Sequence, residues 1–341
     1  MKTEHNVSLK SFNTFGVEAS AKQLVRLDSP EDVGNLPSGS FDRDADLVLG
    51  GGSNILFCSD IPGTLYLNRI KGRRIISEDN DSVLIEVAAG ENWHEFVLWT
   101  IDQGFSGLEN LSLIPGLTGA APMQNIGAYG VEVSSLMDSV NTYDWRSGEK
   151  LEMASEECQF SYRNSRFKSV DPGRFLILSC RLQLAKKFVP CLSYAGLAGE
   201  LAAMNIKNPN ARQVSDAVVR IRQRKLPDPA VLGNAGSFFK NPEVSADIAE
   251  YLQSHHQSFP VFSIADKSCK LSAAWMIEQC GWKGYKRGDA GVSEDHALVL
   301  VNHGTATGSD IFELSEQIAE SVLDRFGIVL EREPQVYKIN S

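Results

Sequence analysis

The chain has 341 residues, of which 43% are hydrophobic and 22% are charged, and this balance is typical of a folded protein of two or three domains. Its formal net charge of −10 argues against a general nucleic-acid-binding surface, because such surfaces rely on clustered Lys and Arg. No apolar run has the form of a secretion signal or reaches the roughly 20 residues of a membrane helix, so we expect a cytoplasmic protein.

The first half of the chain predicts short strands around a glycine cluster. Residues 47–57, LVLGGGSNILF, place two β-prone runs on either side of the glycines, and residues 64–70 form a further strand candidate. Residues 83–89 predict a strand, after which apolar residues recur at helical spacing from Trp93 to Ile101. A strand therefore leads into an amphipathic helix.

The second half alternates loop, helix and strand, which indicates the α+β class. Residues 114–132 accumulate small residues without a helical or strand period, and we interpret them as a functional loop with a short helical turn. Pro227 is a plausible domain boundary because it stops the preceding helix. The predicted elements are a strand at 175–184, a helix at 213–225, a helix at 271–280, a strand at 297–302, a helix at 310–326 ended by Gly327, and a strand-like run at 328–330.

The cysteines and histidines give no sign of a metal site. Six cysteines are scattered without a CxxC pair, so we expect reduced core thiols. None of the six histidines forms a pair with zinc-protease spacing. We therefore predict that the protein holds no metal.

Two glycine-rich stretches have the composition of anion-binding loops. The turn Gly50–Asn54 follows a strand, and its missing Cβ atoms let backbone N–H groups approach a pyrophosphate, although a tight structural turn explains it equally well. It matches neither GxGxxG nor a P-loop, which requires a Lys. The second stretch, 116–130, places Gln124 and Asn125 among glycines and suits a dinucleotide, the alternative being ordinary surface turns.

Three further segments carry polar groups that could take part in a reaction. Arg163, in YRNSRFK, could clamp a carboxylate, or it could be a solvated loop arginine beside a packed Tyr162. Ser237 lies in GNAGSFFKNP, which lacks the GxSxG pattern of a nucleophile, so a proton-donating role is the one left open. The carboxylates of Glu331 and Glu333 near the C-terminus are of a kind that usually decorates a surface.

Taken in order, the motifs resemble one enzyme family along nearly the whole chain. LGGGSNILF, PGLTGAAPMQNIGAYGVE, YRNSRFK, KLPDP, GNAGSFFKNP and LEREP are similar to those of the UDP-N-acetylenolpyruvoylglucosamine reductases of peptidoglycan precursor synthesis. The resemblance implies an α+β protein with an FAD-binding fold of the vanillyl-alcohol-oxidase type in two lobes and a C-terminal α/β domain. The implied boundaries are 1–70 and 71–226 for the lobes, 227–329 for the substrate-binding domain, and 330–341 for a segment that returns to the active site.

The same resemblance implies the reaction and its residues. NADPH reduces a non-covalent FAD and leaves, and the enolpyruvyl ether of UDP-N-acetylglucosamine then takes the hydride. Arg163 matches the cation that stabilises the developing enolate, Ser237 the proton donor, and Glu333 the carboxyl group beside them. Glu333 takes this role in an ungapped match, whereas a gapped match places Gln335 there.

Binding roles are likewise implied by the resemblance. His296 stands where the family pattern leads us to expect an amide, which puts one substrate contact in doubt. The implied FAD-binding residues are Gly50, Gly51, Gly52, Ser53, Asn54, Gly116, Gly119, Gln124, Asn125, Gly127, Ala128 and Tyr129, and the implied substrate-binding residues are Tyr162, Tyr194, Lys225, Asn241 and His296.

Two other functions compete with this interpretation. An oxidase of the vanillyl-alcohol-oxidase type would pass electrons to oxygen and often links its flavin through a histidine, but neither flavin loop contains one. A UDP-sugar-binding module without activity would not need Arg163, Ser237 and Glu333. We expect a monomeric enzyme whose ligands are NADPH and the UDP-sugar.

Overall fold

The computed structural model describes residues 1–264 and 268–339, and within them the chain alternates short strands with helices. The strands are β1 Lys2–Ser8, β2 Ser20–Leu27, β3 Leu47–Leu49, β4 Ile55–Phe57, β5 Ile61–Asn68, β6 Arg73–Glu78, β7 Ser82–Ala88, β8 Gly127–Ala128, β9 Val131–Glu132, β10 Met137–Asp144, β11 Lys150–Ala154, β12 Phe175–Ala185, β13 Gly233–Ser237, β14 Glu243–Ser245, β15 Val261–Ser263, β16 Ser268–Leu271, β17 Lys286–Arg287, β18 Ala290–Val292, β19 Val299–Asn302 and β20 Gln335–Tyr337. The α-helices are α1 Pro30–Gly34, α2 Trp93–Asp102, α3 Arg166–Ser169, α4 Ala195–Ala203, α5 Ala211–Lys225, α6 Ala246–His255, α7 Ala273–Gln279 and α8 Gly308–Phe326.

The chain divides into two compact units, each assembled from more than one segment. We call them the N-terminal unit and the C-terminal unit. The N-terminal unit consists of Met1–Val7, Ala21–Gly51 and Ile61–Gln223, and the C-terminal unit of Ser8–Ser20, Gly52–Asp60 and Arg224–Ser341.

The N-terminal unit contains two sheets of different type. One has the order β1-β2-β5-β3, with β5 parallel to both β2 and β3. The other is antiparallel, with the order β11-β10-β12-β7-β6. Strand β7 alternates buried and half-buried residues, and its buried face packs with α2 in the main apolar core.

A smaller apolar cluster in the same unit joins α4 to α5. Leu197 and Leu201 of α4 pack against Val214 and Val218 of α5, and all four are buried. The partly buried rings of Tyr129 and Phe188 lie against this cluster, among other residues. The helix pair is thereby attached to the loop that carries Tyr129.

The C-terminal unit contains a sheet of order β13-β19-β18-β17, a smaller sheet of order β14-β16-β15, and the parallel pair β20-β4. Its longest helix, α8, begins with a capping box at Thr307 and ends at Gly327. The φ of Gly327 is 68°, in the left-handed region that favours glycine. The buried Asn302 donates from Nδ2 to Phe15 O at 2.9 Å. This bond ties the segment Ser8–Ser20 to the central strand β19.

Most predicted elements are confirmed within a few residues, and the exceptions have physical causes. The strand-like run at 328–330 is wrong: the strand of this region is β20, which pairs with β4. Helices α1, α3, α4 and α6 were not predicted. Helices α1 and α3 are only five and four residues long, and the alanines and glycines of α4 give it no strong polar and apolar faces. Among the described residues, no helix combines the length and apolarity that crossing a bilayer requires.

Candidate functional site

Two glycine loops of the N-terminal unit touch through their backbones. A Cβ on Gly51 would lie 2.8 Å from Gly116 Cα, so a side chain at Gly51 would separate the loops. Among the described residues, the N–H groups of Gly51 and Gly116 donate no hydrogen bond. Arg69 lies beside them and donates from Nη1 to Gly50 O at 3.3 Å. Backbone donors and a nearby guanidinium fit the diphosphate of a dinucleotide such as FAD.

The remainder of the first glycine turn belongs to the C-terminal unit. Gly52 has φ of +63°, and a Cβ there would lie 1.8 Å from Phe12 O, so the turn requires glycine on both counts. Asn54 donates from Nδ2 to Glu333 O at 3.3 Å, and Asn54 O accepts from Gln335 N at 3.0 Å. Two residues predicted for different roles, Asn54 and Glu333, are therefore direct neighbours.

Leu113, just before the second glycine loop, is held in a conformation that leucine rarely adopts. Its φ is +57°. Its N–H donates to His94 Nδ1 at 3.0 Å, and its carbonyl accepts from Arg222 Nε at 3.1 Å. Side chains from α2 and α5 thus stabilise the strained residue that leads into Gly116. Sequence reasoning missed His94 and Arg222, because neither lies in a glycine-rich or polar motif.

The bond from Leu113 predicts a pH dependence of stability that His94 controls. Burial, reinforced by Arg222 and Arg212 against the weaker influence of Glu95, lowers the pKa of His94, so the folded state favours neutral imidazole. The unfolded chain then binds more protons, and this stabilisation, complete above about pH 6.5, is lost as pH falls through the lowered pKa. We expect His94→Gln, which keeps an acceptor for Leu113, to flatten this dependence in urea unfolding between about pH 7 and 5.

A matched control for this prediction is His5→Gln, because His5 is exposed on β1. It should leave the slope of unfolding free energy against pH unchanged. Equal slopes for wild type and His94→Gln would show that His94 does not couple the fold to pH.

The second glycine loop is held in place by close packing at Gly119 and by hydrogen bonds of the Asn125 side chain. A Cβ on Gly119 would lie 2.5 Å from Ala89 Cβ, so this residue packs directly on the end of β7. Asn125 is 1% exposed and donates from Nδ2 to Glu132 Oε2 at 2.8 Å, while its Oδ1 accepts from Ser134 N at 3.0 Å. The Asn125 side chain therefore shapes the loop. The same loop also contains the predicted FAD-binding residues Gln124, Gly127, Ala128 and Tyr129.

Arg163 is positioned by its own backbone and by Gly127. Its φ of +52° is a left-handed conformation, which clusters at functional sites. Nη2 donates to Gly127 O at 2.7 Å, and the guanidinium lies 5.1 Å from the centroid of the Tyr162 ring. A Cβ on Gly127 would lie 3.0 Å from Nη1, so a side chain there would displace the guanidinium by a few tenths of an ångström. The structure therefore joins the predicted residues Gly127, Tyr162 and Arg163.

Ser237 and Glu333 lie on adjacent stretches of the C-terminal unit. Phe239 forms a β-bridge with Arg332, and Glu333 N donates to Phe238 O at 2.9 Å. Phe238 and Phe239 are 0% and 1% exposed, which anchors Ser237 to the core. Glu333 follows this bridge directly and so lies close to Ser237 along the paired backbones.

The neighbouring carboxylate, Glu331, has a different environment. Its Oε2 lies 2.8 Å from Lys240 Nζ, and its side chain is 71% exposed. An exposed ion pair of this kind contributes little to stability and holds Glu331 at the surface. The Glu331 carboxylate is therefore paired at the surface, whereas Glu333 is half-buried.

Three predicted substrate-binding residues belong to the C-terminal unit, and two of them interact. Burial, followed by the charges of Lys225 and Lys283, lowers the pKa of His296, and Glu278 opposes this weakly. His296 Nδ1 accepts from Leu298 N at 3.2 Å, so the neutral ring carries its proton on Nε2. Asn241 Oδ1 accepts from Ala273 N at 3.0 Å at the start of α7.

Tyr194, the remaining predicted substrate contact, lies in the N-terminal unit. Its ring is 40% exposed and stands nearly perpendicular to that of Tyr129, with centroids 5.1 Å apart. This edge-to-face contact links a residue predicted to bind substrate with one predicted to bind FAD.

Comparisons with known proteins were consistent with one another. A family model described as an FAD binding domain matches residues 23–152, and one described as the C-terminal domain of UDP-N-acetylenolpyruvoylglucosamine reductase matches residues 228–337. Reductases of that name from Pseudomonas fluorescens and Pseudomonas aeruginosa are each 46% identical over 338 residues, covering 99% of this chain and of the relative. The crystal structure of a UDP-N-acetylenolpyruvylglucosamine reductase from Thermus caldophilus is similar in fold, with a TM-score of 0.69 at 23% identity over 99% of this chain and all of that one.

Proposed function

Because the chain belongs to the UDP-N-acetylenolpyruvoylglucosamine reductase family, we propose that Arg163, Ser237 and Glu333 carry out its reaction. The protein is a flavin-dependent oxidoreductase of the α+β class that uses FAD and NADPH. It reduces the enolpyruvyl ether of UDP-N-acetylglucosamine in peptidoglycan precursor synthesis. The recognition, fold class and cofactors predicted from the sequence are thus confirmed.

The glycine loops are the residues that would hold FAD. Gly51 and Gly116 offer backbone donors and Arg69 a cation, as a diphosphate requires. When bound, FAD supplies the transfer of hydride from NADPH to the methylene carbon of the substrate. The protein residues provide binding, charge stabilisation and a proton.

Arg163 is proposed to stabilise negative charge on the substrate. Addition of hydride to the alkene moves negative charge toward the attached carboxylate, as in an enolate. A guanidinium held in place by Gly127 and Tyr162 loses little energy to reorganisation, so it stabilises the transition state more than the ground state.

Ser237 is proposed to deliver the proton to the second carbon of the enolpyruvyl group, and Glu333 to hydrogen-bond the developing charge. The observation that carries this assignment is the bond from Glu333 N to Phe238 O, which makes the two residues neighbours. A serine hydroxyl is a weak acid, so its position next to a carboxyl group matters more than its acidity.

The UDP portion of the substrate is assigned to Tyr162, Tyr194, Lys225, Asn241 and His296. Lys225 contributes positive charge in a chain whose net charge is −10, and it lies near enough to His296 to influence its pKa.

We further propose a cytoplasmic monomer with FAD-binding lobes at 1–70 and 71–226, a substrate-binding domain at 227–329, and a C-terminal segment at 330–341. The strand β20, which places the chain after Glu333 beside β4, supports the assignment of that last segment.

Anaerobic half-reaction spectroscopy tests the proposal. NADPH alone should bleach the flavin absorbance, and addition of the UDP-N-acetylglucosamine enolpyruvyl ether should restore it in the absence of oxygen. Restoration by oxygen alone would identify an oxidase, and a protein that binds the UDP-sugar without either spectral change would be a binding module.

The proposed contact of His296 predicts a graded response to substitution. His296→Gln preserves an N–H donor and should change the KM for the UDP-sugar by less than about twofold, whereas His296→Ala should raise it by about 2- to 10-fold, the effect of one hydrogen bond. Steady-state kinetics at saturating NADPH measure both variants. An unchanged KM in His296→Ala would remove His296 from the substrate site.

A further inference from the structure

Asn110 is a buried side chain that joins two distant segments of the N-terminal unit. It is 0% exposed and lies in the 3-10 turn Glu109–Leu111. Its Nδ2 donates to Tyr129 O at 2.8 Å and to Cys191 O at 2.9 Å, across 19 and 81 residues of chain. One amide thus uses both of its N–H donors to hold the loop of Tyr129 and the segment that leads to Tyr194.

The segment 187–193 is joined to the rest of the unit by the bond from Asn110 Nδ2 to Cys191 O and by a weaker contact from Cys191 Sγ to Gly130 O at 3.8 Å. Among the described residues, no backbone-to-backbone hydrogen bond involves positions 187–193. Phe188 and Leu192 pack on the α4–α5 cluster, but apolar contacts alone leave the course of the backbone loosely specified. The bond from Asn110 to Cys191 O is therefore the stronger polar contact that positions this segment.

The same segment fits closely against the turn after Tyr129. A Cβ on Gly130 would lie 2.7 Å from Ser193 Oγ, so the chain passes directly over this glycine. Tyr129 itself has φ of +49°, and its ring meets that of Tyr194 edge to face at 5.1 Å. Asn110 donates to Tyr129 O in the strained turn and to Cys191 O in the segment, which constrains the distance between the two rings.

We propose that Asn110 is a positioning residue for the reduction, which acts by holding Tyr194 in place for the UDP portion of the substrate. The inference rests on the proposed role of Tyr194. Asn110 does not itself touch substrate: both N–H donors of its amide are used by the two carbonyls, and its side chain, including an Oδ1 without a hydrogen-bond partner among the described residues, is fully buried. Its loss should weaken the binding of the UDP-sugar and leave the reduction of the flavin by NADPH intact.

The test uses Asn110→Leu, which keeps a similar shape and removes both donors. The KM for the UDP-sugar is expected to rise about tenfold or more, because two part-buried carbonyls lose their donor. The rate of flavin bleaching by NADPH should stay within twofold. Limited proteolysis within 187–193 should accelerate in the variant without any ligand, because the segment loses its bond from Asn110. Should Asn110→Leu fail to fold, Asn110→Ala serves for the same measurements.

Tyr143→Phe is the matched control, because Tyr143 is buried in the same unit and its hydroxyl donates to Leu36 O at 2.8 Å. It also deletes a bond from a side chain to a backbone carbonyl, and it should leave the KM and the rate of proteolysis within 187–193 unchanged. An equal rise in KM for Tyr143→Phe would show a general loss of stability and overturn the proposal.

A double-mutant cycle with Tyr194→Ala separates this inference from the proposed function. If Asn110 acts through Tyr194, Asn110→Leu should raise the KM little further once Tyr194 is alanine. Additive effects, or an unchanged KM in Asn110→Leu while Tyr194→Ala raises it, overturn the inference alone. An unchanged KM in Tyr194→Ala would instead refute the proposed role of Tyr194.

Discussion

Ser237→Ala is expected to lower the turnover of the enolpyruvyl substrate by about 10²-fold or more while flavin reduction by NADPH proceeds normally. The size is that of a lost general acid. The two half-reactions separate because only the second requires a proton at carbon, which is the step proposed for Ser237. Stopped-flow spectroscopy of each half-reaction measures the difference directly.

Ser245→Ala is a matched control in the same unit. Ser245 precedes α6, is exposed, and makes no capping bond from its side chain, so its hydroxyl should be dispensable. Normal turnover in Ser237→Ala would remove Ser237 from the mechanism. Equal loss in both half-reactions would point to damaged FAD binding instead.

Arg163→Met is expected to slow reoxidation of the reduced flavin by the enolpyruvyl substrate about 10²- to 10³-fold, the usual effect of removing one preorganised donor to a developing anion. Methionine retains a Cβ, so the left-handed backbone at φ of +52° is equally strained in both proteins. The difference therefore reports the guanidinium. Single-turnover kinetics at saturating substrate measure it.

Arg163→Lys and Arg74→Met complete the comparison. Lysine keeps the charge but not the planar fork, so it should restore only part of the rate. Arg74 is 68% exposed and pairs with Glu86 on the sheet, and its replacement should change neither half-reaction. A rate for Arg163→Met close to wild type would show that another group stabilises the charge.

The C-terminal carboxylates illustrate how sequence and structure divide the task. The sequence motif contains Glu331 and Glu333 two residues apart and assigns a role to one of them only through an ungapped family match. The backbones of both residues flank the bridge between Phe239 and Arg332, and the structure distinguishes them by side-chain exposure, since Glu331 pairs with Lys240 at the surface and Glu333 is half-buried.

The glycine loops show the same division in another form. Their composition predicted an anion-binding turn, because glycine alone tolerates the required backbone. The composition did not predict that Gly51 and Gly116 would be in contact, or that the amide of Asn125 would hydrogen-bond to Glu132 and Ser134. The sequence motifs also did not indicate three supporting side chains. His94 and Arg222 support the second loop, and Asn110 supports the segment that leads to Tyr194.

The sequence by itself determined what is local or shared with a family: the periodic strands and helices, the glycine turns, and the motifs that carry FAD and reductase chemistry. The tertiary structure decided which distant groups meet. Strand β20 pairs with β4, Asn54 reaches Glu333 O across 279 residues, and Asn110 joins carbonyls that lie 19 and 81 residues away. The physical reason is that periodicity and backbone preference act over a few residues, whereas burial and hydrogen-bond satisfaction are settled only when remote segments pack together.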